Sequence, residues 1–254
     1  MEAAAQAIIV AVLGLSVGSF LNVVAVRLPE HRSVWRPGSG CPSCGTPIAW
    51  RDNIPLLSFA VLRGRCRACG SGISWRYPAV EFATAVSWIA AYLVFGMSPR
   101  LPIALVFLSA LVVITAVDFS HRIIPNVITL PGILAGFAAN LAAGSVSWLD
   151  SLLGIVIGGG LFLIIIAASG GRGMGLGDMK LAAMFGAFLG WKITLVALFI
   201  AVMLGGILAT TLLVSGRMRR KDAIPFGPFL ALGAATGLLW GDEIVRWYVT
   251  AFAR

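Results

Sequence analysis

Charge is scarce in this chain, and acidic charge is scarcest. Among 254 residues there are ten Asp and Glu against nineteen Lys and Arg, and charged residues make up 11% of the total while hydrophobic ones make up 59%. A soluble domain carries about a quarter of its residues as charged side chains, so this composition excludes one and points to a bilayer. Histidine is nearly missing as well: His31 and His121 lack the spacing of a metal pair and read as surface or interface residues. No basic n-region precedes the first apolar run, and the polar stretch Gly18-Ser19-Phe20-Leu21-Asn22 interrupts it. That argues for a retained helix rather than a cleaved signal peptide. Internal repeats are absent beyond a generic apolar pattern, and no glycine-rich dinucleotide-type fingerprint occurs.

What the chain has in abundance is apolar runs. A span needs roughly 20 helical residues to cross about 30 Å of hydrocarbon. Eight segments are predicted: Ala5 to Val26, Ala79 to Gly96, Leu101 to Val117, Val127 to Ala143, Leu152 to Ala168, Leu181 to Gly190, Ile193 to Val214 and Phe226 to Trp240. The sixth is too short alone. It must borrow residues from the Gly-rich turn before it, or enter as a broken helix covered by protein.

Lys and Arg concentrate in two connections. Residues 27–76 carry Arg27, Arg32, Arg36, Arg51, Arg63, Arg65, Arg67 and Arg76, and Gly216 to Asp222 carries Arg217, Arg219, Arg220 and Lys221. Short basic loops stay in the cytoplasm. Eight spans put both loops on that side, while the opposite connections hold only Arg100 and Lys192. Charge confined to loops beside spans is topogenic and suits anionic lipid, so nucleic acid is not an expected partner.

All four cysteines fall within the first of these loops, as Cys41-Pro-Ser-Cys44 and Cys66-Arg-Ala-Cys69. Two CxxC knuckles about twenty residues apart have the spacing of a four-thiolate zinc ribbon, with Gly45 and Gly70 allowing the turns that aim amides at sulfur. Disulfides are the alternative, and a reducing cytoplasm disfavours them. A closed four-sulfur site is structural, holding a loop too small to build a core.

Ionisable groups at membrane depth tend to mark function, so each acidic residue is weighed. Asp150, Asp222, Asp242 and Glu243 read as solvated loop charge. Glu81, at the start of the second span, could pair with Arg76, cap the helix or serve a site near the loop. Asp118 and Asp178 differ, each lying where an apolar run meets a segment of helix breakers: Pro125-Asn126 for the first, and Gly170, Gly171, Gly173, Gly175 and Gly177 for the second. Two carboxyls sharing a low-dielectric site cannot easily both ionise, so one acts as general acid and the other as general base on water. The structural alternative pairs Asp178 with Lys180 or Arg172 and Asp118 with Arg122, closing helix ends. Composition alone leaves both open.

The blocks GLSVGSFLNVVAVRLP (residues 14–29), CPSC, IAWRDNIPLLSFAVLRGRCRACG and ISWRYPAVE (48–81), AVDFSHRIIPN, GMGLGDMK and IPFGPFLALG (224–233) together resemble the type IV prepilin peptidases, a family of bacterial membrane aspartic proteases. The resemblance runs nearly end to end. It implies that Asp118 and Asp178 are the catalytic pair and that Cys41, Cys44, Cys66 and Cys69 bind a structural zinc in a cytoplasmic loop. It also implies two reactions: cleavage of the basic leader of prepilins and type II secretion pseudopilins after a glycine, then methyl transfer from S-adenosylmethionine to the new N-terminal amine. If a methyl-donor site exists, Gly64, Glu81 and the polar faces of the first loop are where it is expected.

The expected architecture is therefore an all-α polytopic membrane protein of about eight transmembrane helices in the bacterial inner membrane. Residues 1–27 form the first helix, 28–78 a cytoplasmic zinc-ribbon-like insertion, and 79–254 the membrane-embedded peptidase domain. The rival reading is a proton-coupled transporter with an aspartate relay and a zinc docking module, which internal repeats would support.

Overall fold

A computed structural model describes residues 1–171, 174–217, 219 and 224–252. Among them the regular elements are helices: α1 (Glu2–Arg27), a 3-10 turn (Trp50–Asp52), α2 (Leu57–Val61), α3 (Arg76–Phe95), α4 (Arg100–His121), α5 (Asn126–Ala143), α6 (Trp148–Ala168), α7 (Leu176–Val214) and α8 (Gly227–Phe252). Six of these, α1, α3, α4, α5, α6 and α7, are long and apolar enough to cross a membrane. The chain divides into two compact units, residues 1–117 and 118–254.

In the first unit, small residues on α1 let it lie against α3. A Cβ added at Gly14 would stand 2.9 Å from the Ala85 Cα, and one at Gly18 would stand 2.7 Å from the Glu81 Cα. Without side chains at these two positions, four residues apart, the backbones approach closely enough for dispersion to hold them, the usual basis of helix association where lipid supplies no hydrophobic drive. The polar stretch that interrupts the first apolar run is thereby explained: the buried Asn22 amide donates to the Tyr77 carbonyl at 3.0 Å, joining the same two helices.

In the second unit, α7 is not one straight rod. Gly190 breaks it with φ 73° and ψ 170°. A Cβ on Gly158 of α6 would touch both the Ala182 carbonyl and, at 3.2 Å, Thr194 Cγ2. In a straight helix, residues twelve apart lie about 18 Å from one another, so the chain reverses at Gly190. The expected sixth and seventh spans are the two arms of α7. The first arm is about 21 Å long, shorter than the hydrocarbon core. It is tolerated because protein surrounds it: every residue from Leu181 to Gly190 is buried.

Breaking the helix frees carbonyls, and Asn140 of α5 and Ser151 of α6 collect them. Asn140 Nδ2 donates to the Ala187 and Phe188 carbonyls at 2.8 and 3.0 Å, and Ser151 Oγ donates to the Ala187 carbonyl at 2.7 Å. Gly186 and Gly154 sit backbone to backbone beside this lock. Replacing Asn140 with Ala takes the side-chain donor from the Phe188 carbonyl and leaves Ala187 with Ser151 alone, and is expected to lower stability by about 1–3 kcal/mol. Thermal melting of the purified variant would check this, and an unchanged midpoint would show the lock to be idle.

The last helix runs past the expected end at Trp240. Asp242 and Glu243, expected in a connection, lie within α8, where Arg246 Nη2 meets Glu243 Oε1 at 3.0 Å. Arg220, Lys221 and Asp222 of the second basic loop lie outside the described residues, as do Arg172 and Gly173.

Candidate active site and metal centre

The loop between α1 and α3 folds as two copies of one knuckle. The Cys41 N–H donates to the Thr46 carbonyl and Gly45 N–H to the Cys41 carbonyl; Cys66 repeats this with Ser71 and Gly70, at 2.8 to 3.0 Å throughout. Gly45 and Gly70 share φ 72°, a left-handed turn that favours glycine, and the isolated bridges Gly40–Pro47 and Arg65–Gly72 close the two hairpins. The knuckles face each other. All four cysteines are free thiols, and their sulfurs lie within 4.8 Å of one another. Tetrahedral Zn–S bonds of about 2.3 Å give sulfur–sulfur edges of about 3.8 Å, and Cys41 Sγ lies 3.9 Å from Cys69 Sγ. The donor set and its size fit one zinc.

At Cys41 and Cys69 local dipoles favour the thiolate form that ligation needs, while Cys66 is shifted the other way. The Cys44 N–H, the Ser71 hydroxyl and the Ser43 N–H bring the Cys41 thiol down to about 6. The Ser71 hydroxyl and backbone lower Cys69 as well. Ser71 thus orients two ligands at once. It lacks any motif signal in the sequence. Nearby, Arg67 clasps the Asp52 carboxylate in a bidentate pair at 2.7 to 3.1 Å, holding that carboxyl below its usual range and tying the second knuckle to the 3-10 turn.

Glu81 and Gly64 sit at opposite ends of α2. The buried Glu81 carboxylate accepts the Leu56 N–H at 2.8 Å and also bonds Ser19. Leu56 precedes α2 with φ 59°, a conformation costly for a branched residue, and Glu81 fixes it. Gly64 ends the turn after α2: its N–H donates to the Phe59 carbonyl at 2.9 Å, its own carbonyl accepts from Ile73, and a Cβ there would stand 3.1 Å from the Phe59 ring. We expect Glu81→Ala to release this turn and speed proteolysis between Ile54 and Arg67, while Glu81→Gln, which keeps an acceptor oxygen, stays close to the parent. Equal cleavage rates for parent and Glu81→Ala would refute the anchor.

The two aspartates belong to the second unit and come together through three short contacts. Gly177, at the start of α7, packs on Ile124 so closely that a Cβ would stand 2.9 Å from the Ile124 Cβ. Lys180 Nζ donates to Asn126 Oδ1 at 2.9 Å, fastening the first turn of α7 to the start of α5. Asp118, only 5% exposed, then reaches across to α8, where its Oδ2 accepts the Gly227 N–H at 2.9 Å. Asp178 Oδ2 accepts the Gly175 N–H of its own helix at 3.1 Å. The carboxylates interact electrostatically with each other, and Arg122 acts on Asp118 through space. Lys180, offered above as a partner that would close the helix end, is engaged with Asn126 instead.

Each carboxylate thus receives a backbone N–H at the start of a helix, where the dipole is positive and favours anionic charge. No sequence pattern marks the Gly227 contact, although the block IPFGPFLALG contains that glycine. His31 and His121 are exposed. Gly154, Gly158 and Gly205 pack inside the bundle, while a Cβ added at Gly160 or Gly206 would meet nothing within 4 Å.

Helices fit to span a bilayer, two interacting aspartates, of which Asp118 is buried and Asp178 half-buried, and a four-thiolate loop are the features of an integral-membrane peptidase. The chain belongs to the type IV leader peptidase family: that family model matches residues 105–210, and the bacterial peptidase A24 N-terminal domain matches residues 12–95. Relatives described as prepilin leader peptidase/N-methyltransferase include one from Aeromonas hydrophila, 37% identical over 96% of this chain and 94% of its own length. The Bacillus subtilis protein is 37% identical over 94% and 96%, and that of Pseudomonas aeruginosa 36% over 93% and 91%. No solved structure matches the chain significantly.

Proposed function

We propose that this protein cleaves the basic leader from type IV prepilins and type II secretion pseudopilins, and then methylates the new N-terminal amine from S-adenosylmethionine. Asp118 and Asp178 are the acid and base of the cleavage. One observation carries this: two carboxylates from separate helices, each bound to a helix-start N–H and near enough for the charge of Asp118 to act on Asp178, at the end of an apolar bundle. The bond to be cut is an amide between a polar leader and an apolar helix, so it lies at the membrane surface, where such a pair can meet it.

Water supplies the nucleophile. One carboxylate takes a proton from it as its oxygen bonds to the scissile carbonyl carbon, and the other donates a proton as the carbon–nitrogen bond breaks. The leader leaves with a new carboxylate and the mature protein with a new amine. Residues 28–78 are the zinc-binding insertion and 79–254 the peptidase domain. The basic loops support a cytoplasmic placement of both the insertion and the dyad, in a bacterial inner membrane. Glu81 and Gly64 serve methyl transfer by shaping the loop around α2. The chemistry S-adenosylmethionine supplies when bound is an activated methyl group.

The test is incubation of the purified protein with a prepilin in detergent or nanodiscs, followed by mass spectrometry. Loss of the leader mass, then gain of one labelled methyl, is expected. An intact substrate at long incubation would remove the peptidase reading, and complete cleavage without label would leave a peptidase only. The proton-coupled carrier finds no support in the family or in an internal repeat.

A further inference from the structure

We propose that the backbone N–H of Gly227 is what holds Asp118 in working position, which makes Gly227 a positioning residue for leader cleavage. This rests on the assignment of Asp118 to the cleavage reaction. Four observations converge on it.

The first concerns which donors the start of α8 has to offer. Of its first four residues, Pro228 has no N–H, and those of Phe229 and Leu230 both donate to the Phe226 carbonyl at 3.1 Å. The Gly227 N–H alone is turned outward, and it meets Asp118 Oδ2 at 2.9 Å in a buried contact. Prolines at 225 and 228 on either side of Phe226-Gly227 thus leave α8 with one donor aimed at one acceptor.

The second is the reason for glycine. A Cβ at 227 would stand 2.7 Å from Asp118 Oδ2, 3.0 Å from its Cγ and 3.2 Å from its Cβ. The glycine is required by the closeness of the carboxylate, since any side chain would push it aside.

The third is that α8 cannot yield. Gly233 lies against the Ala197 carbonyl and Ala201, and Gly205 lies against the Phe226 ring, with an added Cβ 3.1 Å from it. The second arm of α7 therefore fixes the height of the α8 start.

The fourth is an asymmetry between the two aspartates. Asp178 is held by the N–H of Gly175, three residues away on its own helix, so its orientation survives as long as that turn does. Asp118 is held by a residue 109 positions away. Its orientation depends on the docking of α8, and the dyad is complete only with that helix seated.

Two substitutions separate the donor from the bulk. Gly227→Ala keeps the N–H and adds the methyl group. An amide-to-ester replacement at 227, with glycolate installed by semisynthesis, removes the N–H and adds nothing. Both are expected to lower kcat for prepilin cleavage by roughly 10- to 100-fold with KM unchanged, as a displaced catalytic group does. Elution profile and zinc content should stay those of the parent. An ester variant with parental kcat overturns the proposal whatever the alanine variant does, and it also decides the matter if Gly227→Ala fails to fold. A change in KM alone would show that Gly227 serves substrate binding, and would overturn it too. Asp118→Asn, run alongside, tells the two levels apart: full processing by that variant removes the dyad and Gly227 with it, whereas a dead Asp118→Asn beside a fully active ester removes Gly227 alone.

Discussion

Asp118→Asn and Asp178→Asn should each lower leader cleavage by about four orders of magnitude, the loss seen when one member of a coupled catalytic set is removed, while the folded protein persists. Asparagine keeps the shape of the side chain and one oxygen able to accept from the backbone. At 118 that oxygen can still face the Gly227 N–H, and at 178 the Gly175 N–H. What it cannot do is hold or move a proton. Since one carboxylate must accept a proton from water while its partner delivers one to the departing nitrogen, neither single variant has a substitute path.

The same geometry predicts that the two losses do not add. Each carboxylate is effective only through the other, so the double variant should be as inactive as either single one. Time courses of prepilin processing by purified proteins, followed by mass, would measure this. Processing by either variant at a tenth of the parental rate would take that residue out of the reaction. A rise in KM with kcat preserved would instead mark it as a substrate-binding charge.

How far the sequence exposes this site depends on how local each feature is. The cysteine knuckles are legible because their whole geometry lies within five or six residues: a CxxC, a left-handed glycine and a closing bridge. The spans are legible because lipid rewards simple apolar length. The first arm of α7 is only partly so. Leu181–Gly190 is buried on every side, so it has no polar face to mark its limits, and its reversal at Gly190 is fixed by Asn140 and Ser151, thirty-six or more positions away. The aspartates announce themselves as rare charge beside helix breakers, yet their donors do not. Gly227 is 109 residues from Asp118, and Leu56 is 25 from Glu81. A hydrogen bond between distant backbone and side chain leaves no periodic trace in either segment.

The second large effect is expected at the metal. Residues 38–75 have little apolar core: Cys41 and Ser58 are buried there, whereas Trp35, Trp50, Leu57, Val61 and Trp75, in and beside the segment, are at least half exposed. A segment of that composition has nothing but its ligands and a few turns to offset the entropy of ordering, so the free energy of binding zinc, about 10–16 kcal/mol in small four-ligand domains, is also the free energy that folds it. Removing one ligand with Cys41→Ser or Cys66→Ser, or stripping the metal with a strong chelator, should abolish the single zinc per chain, open all remaining thiols to alkylation and expose the loop to protease. Acid should do the same by protonating the ligands, with occupancy falling as pH drops, because bound metal requires four deprotonated sulfurs and each proton competes with it. The hydrogen bonds that hold the dyad join the last turn of α4 to the start of α8 and the first turn of α7 to its own N-terminus and to α5. Zinc loss should therefore separate the two activities: methyl transfer falls below detection, while leader cleavage keeps its kcat within about tenfold, a loss far smaller than that from a missing dyad member. Atomic absorption for the metal and parallel assays of mass loss and label gain would read both. A protein that holds no metal and whose four thiols alkylate freely in the native state would refute the centre itself, and a collapse of cleavage together with methyl transfer would show that the loop reaches the aspartates.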